Sequence, residues 1–156
     1  MSDFVAADRW IADHRGELTD LLFELIAAPT ENPPGRERRA ADRLAGFFDR
    51  HGISWETFEA EPDRTNLVAR VGAGRRALLL PAHLDVVPAG EGWDTPPWQP
   101  VLRDGRVYGR GAKDNKGPAA ACALAAACAH RCFRLKGRLL VAGVAGYVWQ
   151  SGLVDV

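Results

Sequence analysis

Residues Ala77, Leu78, Leu79 and Leu80 form an unbroken apolar run, preceded by a turn of Gly72, Gly74, Arg75 and Arg76 and closed by Pro81. The run is too short for a helix, and its lack of polar alternation suits a strand buried on both faces. Such a strand needs sheet neighbours and covering layers, so the surrounding segments decide the architecture. Trp10, Ile11, Leu18, Leu21, Leu22, Leu25 and Ile26 recur at helical spacing between Phe4 and Ala28. Pro33 and Pro34 then break the pattern into a loop. A second amphipathic helix, from about Glu37 to His51, carries Leu44, Phe47 and Phe48 on one face and is stopped by Gly52. Ile53 to Phe58 alternates like a strand, and Asn66 to Val71 reads as another. Asp104-Gly105, between Val101–Arg103 and Arg106–Tyr108, is a strong two-residue hairpin signal. A helix from about Gly117 to Arg131 and a strand from about Arg138 to Val144 follow. Helices mixed with hairpin and buried strands predict a layered α/β sheet, without internal repeat or domain linker.

Composition excludes several classes of function. The 156 residues are 47% hydrophobic and 26% charged, the balance of a globular protein rather than a disordered one. Twenty basic residues offset twenty acidic ones, so neither nucleic acid nor an anionic membrane is an expected partner. Residues 1–20 mix charged and apolar residues and do not read as a signal peptide. The alanine-rich stretch from Pro118 to Ala129 is too short to span a bilayer. Cytoplasmic residence follows as the default expectation, and the sequence gives no handle on oligomeric state. Cys122, Cys128 and Cys132 lack C-x-x-C spacing, and they read as small residues of an alanine-rich helix rather than a disulfide framework or metal site.

Two stretches could carry chemistry. At the end of the apolar strand stand His83, Leu84 and Asp85. Strand side chains alternate, so His83 and Asp85 can share a side while Leu84 points away. A carboxylate so placed can take the imidazole's second N–H, fix its tautomer and leave the other nitrogen for a metal. A strand-end histidine that merely bonds a neighbour is the bland alternative. The second stretch is Gly109-Arg110-Gly111-Ala112-Lys113-Asp114-Asn115-Lys116-Gly117. It is neither a dinucleotide fingerprint, having Asp114 where a third glycine belongs, nor a P-loop. Its glycines can hold Asp114 toward a cleft just before a helix, and a carboxylate there can bridge two cations. An Asp capping the helix is the alternative.

Together the stretches resemble a known pattern. Ala82-His83-Leu84-Asp85-Val86-Val87-Pro88, Trp93, Pro97-Trp98, Asp104-Gly105, Tyr108-Gly109-Arg110-Gly111 and Asp114-Asn115-Lys116-Gly117, with Asn66-Leu67-Val68-Ala69 upstream, resemble the zinc metallopeptidase family of acetylornithine deacetylase, succinyl-diaminopimelate desuccinylase, aminoacylase and carboxypeptidase G. The resemblance runs from the first helix to about Val144. It implies a three-layer zinc-exopeptidase-like catalytic domain with a mixed central sheet, present as a truncated N-terminal portion over residues 1–145. It implies a two-metal site holding Zn2+, possibly Co2+. In that site His83 is a metal ligand, Asp114 a bridging ligand and Asp85 the catalytic carboxylate that orients His83, with the Asp114–Asn115 peptide bond in the cis form. The implied activity is hydrolysis of an amide in an N-acyl amino acid or small peptide by metal-bound water.

The resemblance fails after Val144. The family places an Asp-Glu-Glu run there, supplying a general base and a metal ligand; here Gly146, Tyr147 and Val148 occupy those positions. None of the three can take a proton from such a water near neutral pH or bind zinc. Two catalytic zincs need about five protein ligands, and the matched positions supply two. His14, His51, His130, Glu91 and Asp94 are further candidates, each with a routine explanation at a helix end or in a polar loop. Residues 146–156 therefore read as a divergent tail, of the kind a frameshift or truncated gene leaves. The expectation is an inactive form, with two alternatives: a non-catalytic metal- or ligand-binding remnant, or one chain of a two-chain enzyme. If the family's sheet continues past residue 144, the last strand would present an open edge, with Trp149, Leu153 and Val154 adding exposed apolar surface.

Overall fold

Residues 3–146 are described by a computed structural model. The N-terminal helical pattern is two helices, α1 (Asp3–Asp13) and α2 (Arg15–Ile26), rather than one. The break falls at His14, whose ring stacks on Trp10 at 3.8 Å while Nδ1 lies 2.7 Å from the Trp10 carbonyl oxygen. Gly16 follows, a poor residue for continuing a helix. The two helices then take different partners: α1 packs on α4 (Lys116–Cys132), and α2 on α3 (Arg38–Arg50) and α4. Helix α3 (Arg38–Arg50) buries Ala40, Ala41, Leu44, Ala45, Phe47 and Phe48. It ends where Gly52 takes φ +66°, a left-handed conformation that favours glycine.

The strands are β1 (Ser54–Glu59), β2 (Thr65–Val71), β3 (Ala77–His83), β4 (Val101–Arg103), β5 (Arg106–Tyr108) and, after helix α4 (Lys116–Cys132), β6 (Arg138–Val144). Strands β4 and β5 form the hairpin that Asp104-Gly105 signals, with φ of 52° and 72° at those two residues. The other four make a mixed sheet in the order β1-β2-β6-β3. Strands β1, β2 and β6 pair antiparallel in turn, and β6 pairs parallel with β3. This is the expected α/β class with a mixed sheet.

Register fixes which side chains meet the helices. Leu67, Ala69 and Val71 of β2 stand opposite Gly143, Val141 and Leu139 of β6, which stand opposite Ala82, Leu80 and Leu78 of β3. Leu67, Ala69, Val71, Val141 and Ala82 share one buried cluster with Leu21, Leu25, Leu44, Phe47, Phe48 and the alanines of α4. The small alanine face of α4 lets that helix lie close to β6 and β3. Among the described residues the helices cover this one face, so the sheet and one helical layer are present of the three layers expected. No described helix is long and apolar enough to cross a membrane.

Two sequence expectations need correction. The Ala77–Leu80 run is not buried on both faces: Leu78 is 61% and Leu79 51% exposed. The reason is position, because β3 is one of the two outer strands of the sheet and, among the described residues, pairs with β6 alone. The last strand is likewise not the open edge. Strand β6 is inserted between β2 and β3, so that among the described residues the unpaired backbone rows lie on β1 and β3. Trp149, Leu153 and Val154 lie outside the described residues.

Candidate functional site

Strand β3 delivers His83 to the end of the sheet, and the chain continues through Leu84 to Asp85. Leu84 is fully buried in the core, which commits His83 and Asp85 to the opposite side. Leu84 also donates its N–H to the Val144 carbonyl (2.8 Å), extending the β3–β6 ladder by one bond. Gly143 of β6 makes room for it. A Cβ there would stand 2.8 Å from Leu44 Cδ1 and 3.0 Å from Leu84 Cδ1.

The His83 Nδ1–H points at the Asp85 carboxylate, with 3.0 Å to Oδ1 and also 3.0 Å to the Asp85 carbonyl. On the other side of the ring, Nε2 is 2.9 Å from Asp114 Oδ1. Asp85, His83 and Asp114 thus form a line of carboxylate, imidazole and carboxylate. A neutral ring that donates from Nδ1 has a lone pair on Nε2, and a lone pair cannot face a carboxylate oxygen at this distance without a cation between them. The charge is supplied either by a second proton or by a metal. The Asp85 hydrogen bond raises the His83 pKa most; burial opposes the rise, and the Asp114 bond adds to it. Burial would raise the Asp85 pKa, but hydrogen bonds from His83 and Asn32 outweigh it, and the group titrates below the usual carboxylate range.

Asp114 follows the turn that Gly111, at φ +84°, makes possible. Its side chain is 78% exposed and does not cap α4; Asn115 holds the N-cap position without a side-chain cap bond. The capping alternative therefore fails, and the Asp114–Asn115 peptide bond is cis.

Residues that the sequence reading passed over hold this line in place. Asn32, in the loop with the two prolines, donates Nδ2–H to Asp85 Oδ2 at 3.0 Å. Thr30 donates its hydroxyl to the Leu84 carbonyl at 2.6 Å, and backbone bonds join Val86 N–H to Thr30 and Asn32 N–H to Val86. The buried Lys116 donates from Nζ to the Ala28 carbonyl at 2.8 Å, tying the root of that loop to the turn carrying Asp114. Arg110 reaches the carbonyls of Pro88 (3.1 Å) and Ala89 (2.8 Å) and lies over the Trp93 ring, pinning the segment after Asp85. The only sequence signal for Asn32 was its place before Pro33-Pro34; Lys116 and Arg110 stood inside the glycine-rich motif without a role. Beside the site, the fully buried Glu37 meets Arg64 at 3.2 Å, and burial pushes its carboxyl pKa up. Arg64 also faces Gly146, where a Cβ would stand 2.8 Å from Nη2.

The remaining candidates lie elsewhere. His51 and His14 gather on Glu17 at 2.8 and 3.8 Å. Glu91, Asp94 and His130 are exposed. Two donors sharing one ion at about 2.0–2.2 Å stand close to 3 Å apart, so His83 Nε2 and Asp114 Oδ1 fit one edge of a metal site. A complete site does not fit. Among the described residues no three His, Cys, Asp or Glu side chains come together to hold an ion.

Residues 79–146 match the sequence pattern described as peptidase family M20/M25/M40. A succinyl-diaminopimelate desuccinylase from Bordetella pertussis is 42% identical over 109 residues, covering 69% of this chain and 28% of that protein. The chain spans about a quarter of the length of the curated relatives it matches. Its fold matches human carnosine dipeptidase 1 with a TM-score of 0.78 at 23% identity, over 100% of this chain and 37% of that one. It also matches a dinuclear metal binding peptidase of the M20 family from Bacillus subtilis, with a TM-score of 0.59 at 14% identity, over 92% and 41%. In sequence over residues 79–146 and in fold along the chain, the protein is similar to part of the metallopeptidases of family M20/M25/M40.

Proposed function

We propose that the chain carries the opening part of a two-metal amidohydrolase site, with His83 and Asp114 as metal ligands and Asp85 as the carboxylate that orients His83. The observation that carries this reading is the Asp85–His83–Asp114 line, in which one imidazole is held between two carboxylates at 3.0 and 2.9 Å. Asp85 holds the Nδ1–H tautomer and so turns the Nε2 lone pair toward Asp114, whose second oxygen is free to reach another cation. Zinc, when bound, would polarise an amide carbonyl and lower the pKa of a water. The substrate class is an N-acyl amino acid or short peptide, in keeping with the desuccinylase and dipeptidase relatives.

These residues do not complete the chemistry. Gly146 stands where the family's acidic run begins, and among the described residues no group of three His, Cys, Asp or Glu could hold an ion. Residues 1–145 act as one portion of a catalytic domain and 146–156 as a divergent tail, and the 156 residues alone bind zinc weakly and hydrolyse nothing. A zinc competition titration, paired with an assay on N-succinyl and N-acetyl amino acids, tests this. Weak binding that Asp114→Ala abolishes, without turnover, is the expected result; two tightly held zinc ions with turnover would sink it.

The edge of β3, unpaired among the described residues, favours a second reading, in which a separate polypeptide extends the sheet beside His83 and supplies the missing donors. Leu78 and Leu79, both more than half exposed there, are residues that a neighbouring strand would cover. Activity appearing when the chain is mixed with the remaining portion of a relative would support it, and failure of every such mixture to turn over substrate would dispose of it.

A further inference from the structure

At the end of the helical layer remote from His83, the C-terminal turns of α3 and α4 and the α1–α2 junction enclose a hollow of about 350 Å3, walled by Trp10, His14, Arg50, His51, His130 and Arg131. Helix α4 separates the two places. Asp114 precedes its first turn and His130 lies in its last, roughly 20 Å apart at 1.5 Å per residue.

We propose that this hollow is a binding site for a small phosphate-type oxyanion. Its wall contains two guanidinium groups and three imidazoles and no carboxylate, whereas Glu17, Asp20 and Glu24 line the neighbouring hollow, which shares Arg50 and His51 with it. The side chains of His130 and Arg131 make no hydrogen bond or ion pair among the described residues. Arg50 meets Glu24 only loosely, at 3.9 Å and with both side chains exposed, a contact too weak to occupy the guanidinium. Glu17 holds His51 at 2.8 Å, and the Trp10–His14 stack at 3.8 Å fixes a flat wall beside it, so the pocket is partly formed before any ligand arrives.

The helix ends argue in the opposite direction, because the carbonyl termini of α3 and α4 each bring about half a negative charge. Two full arginine charges outweigh them, and the anion is held by side chains rather than by backbone N–H groups. The donors left for a ligand come from two elements, Arg50 at the end of α3 and His130 and Arg131 in α4, while His14 and His51 are held by the Trp10 carbonyl and Glu17. A tetrahedral phosphate can face both, where a planar carboxylate presents two oxygens in one plane.

The test is calorimetric titration of the full chain with inorganic phosphate, with pyrophosphate and acetate alongside. Arg131→Gln and Arg50→Gln remove wall charges, and Arg75→Gln removes an exposed charge that is not part of the wall. Binding of one phosphate per chain, weakened about tenfold by each wall variant and unchanged by Arg75→Gln, is expected. Circular dichroism shows whether each variant folds; Arg131 is exposed, so its variant decides the matter should Arg50→Gln fail to fold. Absence of phosphate binding at millimolar concentration, equal weakening by Arg75→Gln, or tighter binding of acetate than of phosphate would each overturn the proposal. The site and its test are independent of the metal reading at His83.

Discussion

Replacing Lys116 with methionine should erase an alkaline rise in the stability of this fold. Lys116 is fully buried, its Nζ donates to the Ala28 carbonyl at 2.8 Å, and the Trp98 ring lies 5.8 Å away. No carboxylate pairs with it among the described residues, and burial pulls its pKa from 10.5 down to about 8. Below pH 8 the folded and unfolded chains both carry the proton, and the folded state bears the cost of a buried charge. Between about 8 and 10.5 the unfolded lysine keeps a proton that the folded one has released, so stability rises with pH. The two values are about 2.5 pH units apart, which corresponds to about 3 kcal/mol in total. Lys116→Met also leaves the Ala28 carbonyl without its donor, at about 1–3 kcal/mol, but that loss does not vary with pH. Urea unfolding followed by tryptophan fluorescence, in chelator and at intervals from pH 7 to 10.5, gives both curves. The difference between the parent chain and the variant should grow by about 3 kcal/mol in favour of the parent. A difference constant to within about 0.5 kcal/mol would show that the ammonium is not desolvated as this burial implies.

Asp85→Asn should weaken zinc binding about 10- to 100-fold, because His83 loses the carboxylate that fixes its tautomer; competition against a chromophoric chelator reads the change, and an unchanged affinity would remove Asp85 from the site. Gly143→Val should destabilise the fold by about 1–3 kcal/mol in urea, since even a Cβ at that position would stand 2.8 Å from Leu44 Cδ1. Leu79→Lys should leave stability within about 0.5 kcal/mol while reducing self-association in light scattering, because the side chain is 51% exposed on an open edge.

The elements legible in the sequence were those whose determinants are local. Gly52 and Asp104-Gly105 mark places where a left-handed backbone is needed, and the structure uses them as such. The alternation His83-Leu84-Asp85 was legible for the same reason, since a strand has a period of two wherever it lies. What could not be read was position within the sheet. An apolar run suits a central strand and an edge that something else covers equally well, so Ala77–Leu80 gave no sign of lying outermost. Strand β6 comes last among the described strands and yet sits between β2 and β3, a long-range choice that no residue within it announces. The supports of the site were hidden for a similar reason. Asn32 is 53 residues from Asp85 and Lys116 is 88 from Ala28, and neither contact has a local pattern.

The same geometry holds the two sides of the His83 imidazole unequally. Several contacts that position Asp85 and His83 come from residues before position 117: Asn32 on Asp85, Thr30 on Leu84, and Lys116 on the root of the loop that carries Thr30 and Asn32. These bonds depend on the burial of Leu84 and Lys116 in a core that α2, α3 and α4 close from one side. Asp114 differs. Its side chain is 78% exposed, and the only described side chain it meets in the line is His83. A carboxylate that open is held by one hydrogen bond, which water competes for, so its position is set far less firmly than that of Asp85. Preorganisation is therefore strong on the orienting side of the imidazole and weak on the ligand side. Among the described residues, a completion of the site has to cover Asp114, which stands beside His83 at the end of β3.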